Sequence, residues 1–263
     1  MSNKKDGYQP ANYLLAWAVH AFTASAAFVG VLTLVKLYHH QYLHALWLMG
    51  ITIVIDAVDG SFARLVRVKK VLPMIDGTLL DNIVDYLNYV ITPCFFLMVK
   101  PDMLPPSYAI YIIIAITITS SYQFCQADAK TPDHFFKGFP CYWNIVIFYM
   151  YIFNTSMTMN AILLGIFSIL IFVPIKYIYP SRLDFLTQSK QLKILMHCCS
   201  LLYGISSSLI LWDYPNNNPL WLSISLGYIV LYLALSLYRT FNPMKMERKK
   251  SRSYEHQKLL DIN

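Results

Sequence analysis

The sequence consists largely of long apolar blocks that carry almost no charge, and this pattern restricts the chain to a membrane. Charged residues make up 13% of its 263 residues, whereas a soluble domain of this size carries about 25%. Several blocks reach the roughly 20 residues that a helix needs to cross the hydrocarbon core of a bilayer. We therefore predict an all-α, polytopic bundle of membrane helices with most of its surface facing lipid.

Polar or proline-containing connectors divide the apolar sequence into about eight predicted transmembrane helices. Their ranges are 13–37, 41–63, 78–99, 106–126, 141–155, 157–178, 191–212 and 219–240. The predicted domain organisation is a membrane domain over residues 1–240 and a basic cytoplasmic tail over 241–263. The polar N-terminal segment shows no short apolar core followed by a small-residue cleavage site, so we expect no cleaved signal peptide.

The basic residues test this arrangement, because cytoplasmic loops of membrane proteins are enriched in Lys and Arg. With eight spans, 19 of the 21 Lys and Arg residues fall on one side, and only Lys36 and Lys100 fall on the other. The bias predicts cytoplasmic N- and C-termini and cytoplasmic loops at 64–77, 127–140 and 179–190. The net charge of +7 is then explained by topology and by anionic headgroups, and nucleic acid is not an expected partner.

Four aspartates in the second and third predicted spans form the strongest candidate site. Asp56 and Asp59 are three residues apart, and Asp81 and Asp85 are four apart, so each pair shares one helix face. If the two helices form a hairpin, four carboxylates meet in one cavity and require cations between them. Mg²⁺ or Mn²⁺ fits oxygen ligands, and two ions suit four carboxylates better than one. The alternative is that these aspartates cap helix ends or pair with Arg64 and nearby lysines.

The spacing of these residues resembles the signature of the CDP-alcohol phosphotransferase family, D-x-x-D-G-x-x-A-R followed by G-x-x-x-D-x-x-x-D. The eight matching positions are Asp56, Asp59, Gly60, Ala63, Arg64, Gly77, Asp81 and Asp85. The spacer from Leu65 to Asp76 has twelve residues and is longer than in most of the family. The long spacer and the eight spans resemble the bacterial phosphatidylcholine synthase branch.

This resemblance implies a metal-dependent enzyme that transfers the phosphatidyl group of CDP-diacylglycerol to choline and releases CMP. It implies a binuclear Mn²⁺ or Mg²⁺ site made by the four aspartates, with Asp85 as the general base or purely a metal ligand. It assigns the CDP-lipid to Asp56, Gly60, Ala63, Arg64 and Gly77. It also implies a homodimer in a bacterial inner membrane, with the active site facing the cytoplasm.

An aromatic-rich stretch over 122–144 is the candidate site for the acceptor alcohol. A quaternary ammonium donates no hydrogen bond and is held by aromatic faces and a nearby carboxylate, so this composition favours choline. The predicted choline-binding residues are Tyr122, Phe124, Asp128, Phe135, Tyr142 and Trp143. Anchoring of aromatic rings at the membrane interface is the alternative explanation. Lys176 and Arg182 are candidate phosphate contacts, or else interfacial cations that extend toward the headgroups.

Other functions are compatible with parts of this pattern. An enzyme with the same chemistry could use serine, inositol or glycerol phosphate as its acceptor. A cation-coupled transporter would also place acidic residues in membrane helices, but it predicts matched inverted halves with broken helices, and we find no such repeat. A structural protein with a degenerate site would lack at least one signature position, and none is missing.

Overall fold

The computed structural model describes residues 8–131, 135–179 and 189–242, and most of these residues are helical. The helices are α1 (Pro10–Tyr38), α2 (Tyr42–Val66), α3 (Val68–Val71), α4 (Gly77–Tyr86), α5 (Thr92–Val99), α6 (Ala109–Cys125), α7 (Trp143–Ile152), α8 (Met157–Leu170), α9 (Lys190–Asp213) and α10 (Pro219–Phe241). A π-helical turn, Leu87–Ile91, joins α4 to α5. Two short strands, β1 (Phe136–Lys137) and β2 (Lys176–Tyr177), are the exception to the predicted all-α fold.

Five helical segments of the described chain are long and apolar enough to cross a membrane. They are Pro10–Tyr38, Tyr42–Val66, Gly77–Val99, Lys190–Asp213 and Pro219–Phe241. Helices α6, α7 and α8 are apolar but shorter; the ten residues of α7 extend about 15 Å, half the thickness of the hydrocarbon core. The chain is thus a multi-pass membrane protein of helices, and the count of eight spans stays a prediction.

Two of the predicted spans end earlier in the structure than the apolar composition suggests. The predicted span 157–178 becomes a helix only to Leu170, and β2 follows after Pro174. A proline excludes helical backbone at the residue before it and cannot donate a backbone hydrogen bond. The predicted span 141–155 is helical only over Trp143–Ile152. Hydropathy therefore located these segments correctly but not their helix ends.

The described residues form two compact units. The first contains α1 to α7 and most of α8, together with the short segment 211–216. The second contains the connector 125–140, both strands, most of α9 and the whole of α10. All four signature aspartates belong to the first unit.

The core of the first unit brings α1, α2 and α4 together. Ala26 of α1, Ile55 of α2 and Val84 of α4 are each less than a tenth exposed and form one apolar cluster. Val84 adjoins Asp85, and Ile55 adjoins Asp56. Burial of these apolar side chains therefore fixes the faces of α2 and α4 that carry the acidic residues.

The twelve-residue spacer between the two halves of the signature forms a short structured connector. Helix α2 ends at Val66, and Arg67, the residue after it, has a left-handed φ of 56°. Helix α3 follows as a single turn. Val68 and Val71 of this turn are buried against Ala16 of α1. The connector ends at Asp76, which caps α4. Its carboxylate accepts hydrogen bonds from the backbone N–H groups of Thr78 at 3.0 Å and Leu79 at 3.1 Å.

In the second unit, the connector 125–140 and the chain after α8 form a small antiparallel pairing. Phe136 lies opposite Tyr177 in the register of β1 and β2. Gly138, with a φ of +79°, packs so closely on the carbonyl of Ile171 that a Cβ atom would overlap it. Only glycine meets both requirements without strain.

Candidate active site

Three of the four predicted metal ligands meet at one point. Asp56 of α2 and Asp81 and Asp85 of α4 each place a carboxylate oxygen within 4.8 Å of the others. All three residues are half-buried. The i, i+4 spacing on α4 puts Asp81 and Asp85 on one face, and the packing of α2 beside α4 brings Asp56 to that face.

The composition of this cluster fits a divalent cation. Three carboxylates at this separation repel one another unless positive charge lies among them. Carboxylate oxygens are hard ligands of the kind that Mg²⁺ and Mn²⁺ prefer, whereas zinc and copper sites in proteins usually include nitrogen or sulfur. Asp56, Asp81 and Asp85 therefore have the chemistry to hold Mg²⁺ or Mn²⁺.

Asp59 does not belong to this group of three. It is only 6% exposed, and its carboxylate lies beside the Thr23 side chain on α1 and the Gly60 backbone. The guanidinium of Arg64 attracts it electrostatically. The first signature pair is thus divided, with Asp56 directed to the acidic cluster and Asp59 held against α1. A metal-ligand role for Asp59 stays a prediction.

The small residues of the signature lie close to larger side chains. A Cβ atom on Gly60 would be 3.3 Å from Nη1 of Arg64, whose Nη2 donates to Ser61 Oγ at 2.9 Å, so the guanidinium folds back along α2. Ala63 packs on the core formed by α1 and α3. A Cβ atom on Gly77 would be 3.1 Å from Cε1 of His20. Binding of the CDP-lipid by these residues stays a prediction.

Three polar residues near the signature were not singled out from the sequence. Thr23 lies beside Asp59, His20 packs on Gly77, and Tyr89 donates from its hydroxyl to Asp56 Oδ2 at 2.8 Å. His20 and Thr23 are 7% and 8% exposed and lie three residues apart. Buried polar residues in an apolar helix are costly, and this signal could have identified the pair. No comparable signal marks Tyr89, which lies among aromatic and apolar residues.

Two predicted choline-binding residues lie beside aromatic neighbours of the acidic cluster. The ring of Tyr142 is 6.2 Å from that of Tyr89, the tyrosine that bonds to Asp56. Phe124 lies 5.5 Å from Tyr86, edge to face, and Tyr86 directly follows Asp85. Both contacts fall within the first unit, and both residues remain candidates for the acceptor site.

The other predicted choline-binding residues have different surroundings. Trp143 is fully buried and donates from Nε1 to Ser120 at 2.8 Å, so its ring is enclosed by protein. Tyr122 is 48% exposed. Asp128 and Phe135 belong to the second unit.

Asp128 and Phe135 each contact a lysine of the same unit. The Lys137 ammonium bonds to Asp128 at 2.6 Å and lowers the pKa of this carboxyl below its ordinary value. The ammonium of Lys176 lies 5.9 Å from the ring centre of Phe135, a cation–π contact. Lys176, predicted to contact phosphate, is thus held against an aromatic ring. Arg182, its predicted companion, lies outside the described residues.

Comparison with known proteins decides among an enzyme, a transporter and a structural protein. Residues 17–173 match the family described as CDP-alcohol phosphatidyltransferase, a range that runs from α1 beyond α8 and includes the whole signature. The chain belongs to the CDP-alcohol phosphatidyltransferase family. The resemblance seen in the signature is therefore confirmed over more than half of the sequence.

Curated members of this family resemble the chain over most of its length, and those named here are phosphatidylcholine synthases. That of Legionella pneumophila is 71% identical over 232 residues, covering 88% of this chain and 91% of the relative. That of Legionella bozemanae is 69% identical over 217 residues, covering 82% and 100%. That of Borreliella burgdorferi is 43% identical over 171 residues, covering 65% and 73%. The chain thus falls in the bacterial phosphatidylcholine synthase branch of the family.

Proposed function

We propose that the chain is a metal-dependent phosphatidylcholine synthase, a CDP-diacylglycerol–choline O-phosphatidyltransferase that releases CMP. The observation that carries this proposal is the cluster of Asp56, Asp81 and Asp85, whose carboxylate oxygens lie within 4.8 Å of one another. These three residues belong to a family signature of which every position is present. The 71% identity to a phosphatidylcholine synthase supports the choice of CDP-diacylglycerol and choline as substrates, with membrane lipids as the surroundings.

The reaction forms one phosphorus–oxygen bond and breaks another. The choline hydroxyl oxygen attacks the phosphorus that carries the diacylglycerol, and the bond from this phosphorus to the bridging oxygen of the diphosphate breaks. CMP leaves with that oxygen and its electron pair. The hydroxyl proton of choline passes to Asp85, which acts as the general base.

Asp56, Asp81 and Asp85 would hold Mg²⁺ or Mn²⁺, and Asp59 would join them if the site holds two ions. When bound, these ions neutralise the diphosphate and stabilise the charge that develops at phosphorus. Since Asp85 belongs to the acidic cluster, its role as a base requires that one of its oxygens remain available to the acceptor hydroxyl. A purely ligating Asp85 is the alternative.

Gly60, Ala63, Arg64 and Gly77 would bind the cytidine and phosphate groups of CDP-diacylglycerol. The planar guanidinium of Arg64 suits bidentate contact with phosphate oxygens, and its exposed position beside Gly60 supports this role. For choline, the contact of Tyr142 with Tyr89, which bonds to Asp56, and of Phe124 with Tyr86, which follows Asp85, supports these two residues above the other four predicted ones.

We further propose eight transmembrane helices in a bacterial inner membrane, with both termini and the active site on the cytoplasmic side. Support comes from the placement of 19 of 21 Lys and Arg residues on one side. The basic tail over 241–263 would contact anionic headgroups. A homodimer is proposed from the family resemblance alone.

An acceptor screen tests the proposed function. Purified protein in detergent receives CDP-diacylglycerol labelled in its phosphatidyl group, Mn²⁺, and one acceptor chosen from choline, serine, inositol or glycerol 3-phosphate. We expect labelled phosphatidylcholine and stoichiometric CMP with choline only, and loss of both products with EDTA until Mn²⁺ or Mg²⁺ is restored. Use of serine with choline ignored would refute the acceptor, and chelator-resistant turnover would refute the metal.

A further inference from the structure

The hydroxyl of Tyr89 is bonded to the carboxylate of Asp56, a contact between residues 33 positions apart in the sequence, at 2.8 Å. Tyr89 is 6% exposed, so the bond is shielded from water. We propose that Tyr89 is a positioning residue that fixes the rotation of the Asp56 carboxylate for cation binding. This inference rests on the proposed metal-dependent function.

The bond matters because a carboxylate on a single flexible carbon can rotate. A hydrogen bond to Oδ2 fixes the plane of the carboxylate and leaves its other lone pairs directed elsewhere. Because the group is already ordered, less entropy is lost when a cation binds. Partners that hydrogen-bond to metal ligands typically contribute about 10- to 100-fold to metal affinity. Tyr89 is also neutral, so the cluster of three carboxylates keeps its negative charges for a cation.

The backbone around Tyr89 is not an ordinary helix. Tyr89 lies at the centre of the π-helical turn Leu87–Ile91, and this wider turn changes the direction in which its side chain leaves the helix. Pro93 cannot donate the N–H group that an α-helix would direct to the carbonyl of Tyr89. Directly after the turn, the Thr92 hydroxyl donates to the carbonyls of Leu87 at 3.0 Å and Asn88 at 2.8 Å.

A second contact anchors the same turn to α1. Asn88 is 2% exposed and donates from its amide to the carbonyl of Ala26 at 3.1 Å. The residue next to Tyr89 is thus fixed on one side of the helix while the Tyr89 hydroxyl reaches Asp56 on α2. Widened turns inside helices are frequent at functional sites, and here the turn begins two residues after Asp85.

A competing explanation is that Asp56 merely satisfies a buried hydroxyl, so that Tyr89 contributes to stability alone. The two explanations differ in what happens to metal binding when the hydroxyl is removed. Removal of a hydroxyl with a purely structural role lowers stability and leaves the affinity of the folded protein for Mn²⁺ unchanged. Removal of a positioning hydroxyl weakens Mn²⁺ binding in protein that is still folded.

The experiment measures Mn²⁺ binding to chelator-washed, detergent-purified full-length protein by the electron paramagnetic resonance signal of free Mn²⁺. For Tyr89→Phe we expect a Kd about 10- to 100-fold above that of the wild type, with an unchanged elution profile in size-exclusion chromatography. Tyr228→Phe is the matched control, because its hydroxyl bonds to Ser200 at 2.8 Å in the second unit, and it should bind Mn²⁺ like the wild type. CMP release by Tyr89→Phe should recover at high Mn²⁺ concentration.

Each outcome supports or overturns a particular statement. Wild-type Mn²⁺ affinity in folded Tyr89→Phe overturns the role of Tyr89 and leaves the proposed function intact. Absence of Mn²⁺ binding by the wild type contradicts the metal-dependent function itself. If Tyr89→Phe does not fold, Tyr89→Met, which is flexible, uncharged and without a hydrogen-bond donor, takes its place. Mn²⁺ affinity lowered about 10-fold or more in folded Tyr89→Met supports the positioning role, and affinity closer to that of the wild type overturns it.

Discussion

Asp85 lies where metal binding and proton transfer would meet, because it belongs to the acidic cluster and ends the signature. Asp85→Asn keeps the size of the side chain but removes its charge and its basicity. We expect insertion and folding to persist while CMP release falls by at least about 10²-fold, the smallest effect typical for loss of a general base. A coupled assay for CMP measures this change, and turnover close to that of the wild type would remove both roles from Asp85.

Gly77, at the start of α4, lies against His20 of α1. A Cβ atom there would lie 3.1 Å from His20. His20 is only 7% exposed, so its ring has little room to move. We expect Gly77→Ala to lower the melting temperature in detergent, since such overpacking costs about 1–3 kcal/mol. The matched control is Gly50→Ala, whose Cβ would meet nothing within 4 Å.

The direction of the change in melting temperature should distinguish these two glycines. Gly50→Ala should leave the melting temperature unchanged or raise it slightly, because alanine is the better helix former by about 1 kcal/mol. His20→Ala combined with Gly77→Ala should recover part of the lost stability by opening space. Equal melting temperatures for Gly77→Ala and Gly50→Ala would show that His20 yields readily and does not constrain this position.

Sequence reasoning at the residue scale identified the acidic cluster but not its supporting contacts. The spacing of Asp81 and Asp85 determines their common face, and this much follows from helix geometry. The separation of Asp59 from the cluster does not, because it depends on Thr23 of α1, whose alignment with α2 is set by tertiary packing. The bond from Tyr89 to Asp56 likewise depends on a π-helical turn that periodicity does not predict.

At the scale of helices, α1 is an integral part of the active-site region. It places Thr23 beside Asp59 and His20 beside Gly77, and the carbonyl of its Ala26 accepts a hydrogen bond from Asn88. Helix α1 packs tightly on the π-helical turn at Gly30, where a Cβ atom would overlap Oδ1 of Asn88. The position of α1 thus influences both halves of the signature.

Gly30→Ala tests this dependence on α1. The added methyl group should force α1 away from Asn88 and weaken its bond to Ala26, at a cost of about 1–3 kcal/mol. We expect a lower melting temperature in detergent together with weaker Mn²⁺ binding, since Tyr89 adjoins Asn88. Gly165→Ala on α8, where a Cβ would meet nothing within 4 Å, is the control. Unaltered stability and Mn²⁺ affinity in Gly30→Ala would show that the turn adapts to a shifted α1.

At the scale of the whole molecule, composition was sufficient to predict the class of fold, whereas the topology drawn from the charge distribution stays a prediction. The low charge content and the length of the apolar blocks correctly predicted a multi-pass helical membrane protein. Helix ends near Pro174 and the pairing of β1 with β2 were missed, because apolar composition does not distinguish a helix from an extended segment beyond a proline. The charges of the loops contribute separately, as they predict which face of the membrane each connector occupies.

Cysteine accessibility tests the predicted topology, which places the loop after α5 outside and the connector 125–140 in the cytoplasm. Because Cys125 and Cys198 are exposed, both are first replaced by serine. Asp102→Cys in this background should react with a membrane-impermeant maleimide in intact spheroplasts, whereas Ala127→Cys should react only after permeabilisation. The reason is that Lys130 and Lys137 hold their connector on the cytoplasmic side, while the loop at Asp102 carries the single cation Lys100. Labelling of Ala127→Cys in intact spheroplasts would show that the orientation is the reverse of the predicted one. Because the acidic cluster is proposed to take CDP-diacylglycerol from the cytoplasmic face, this result would also contradict that route of substrate entry.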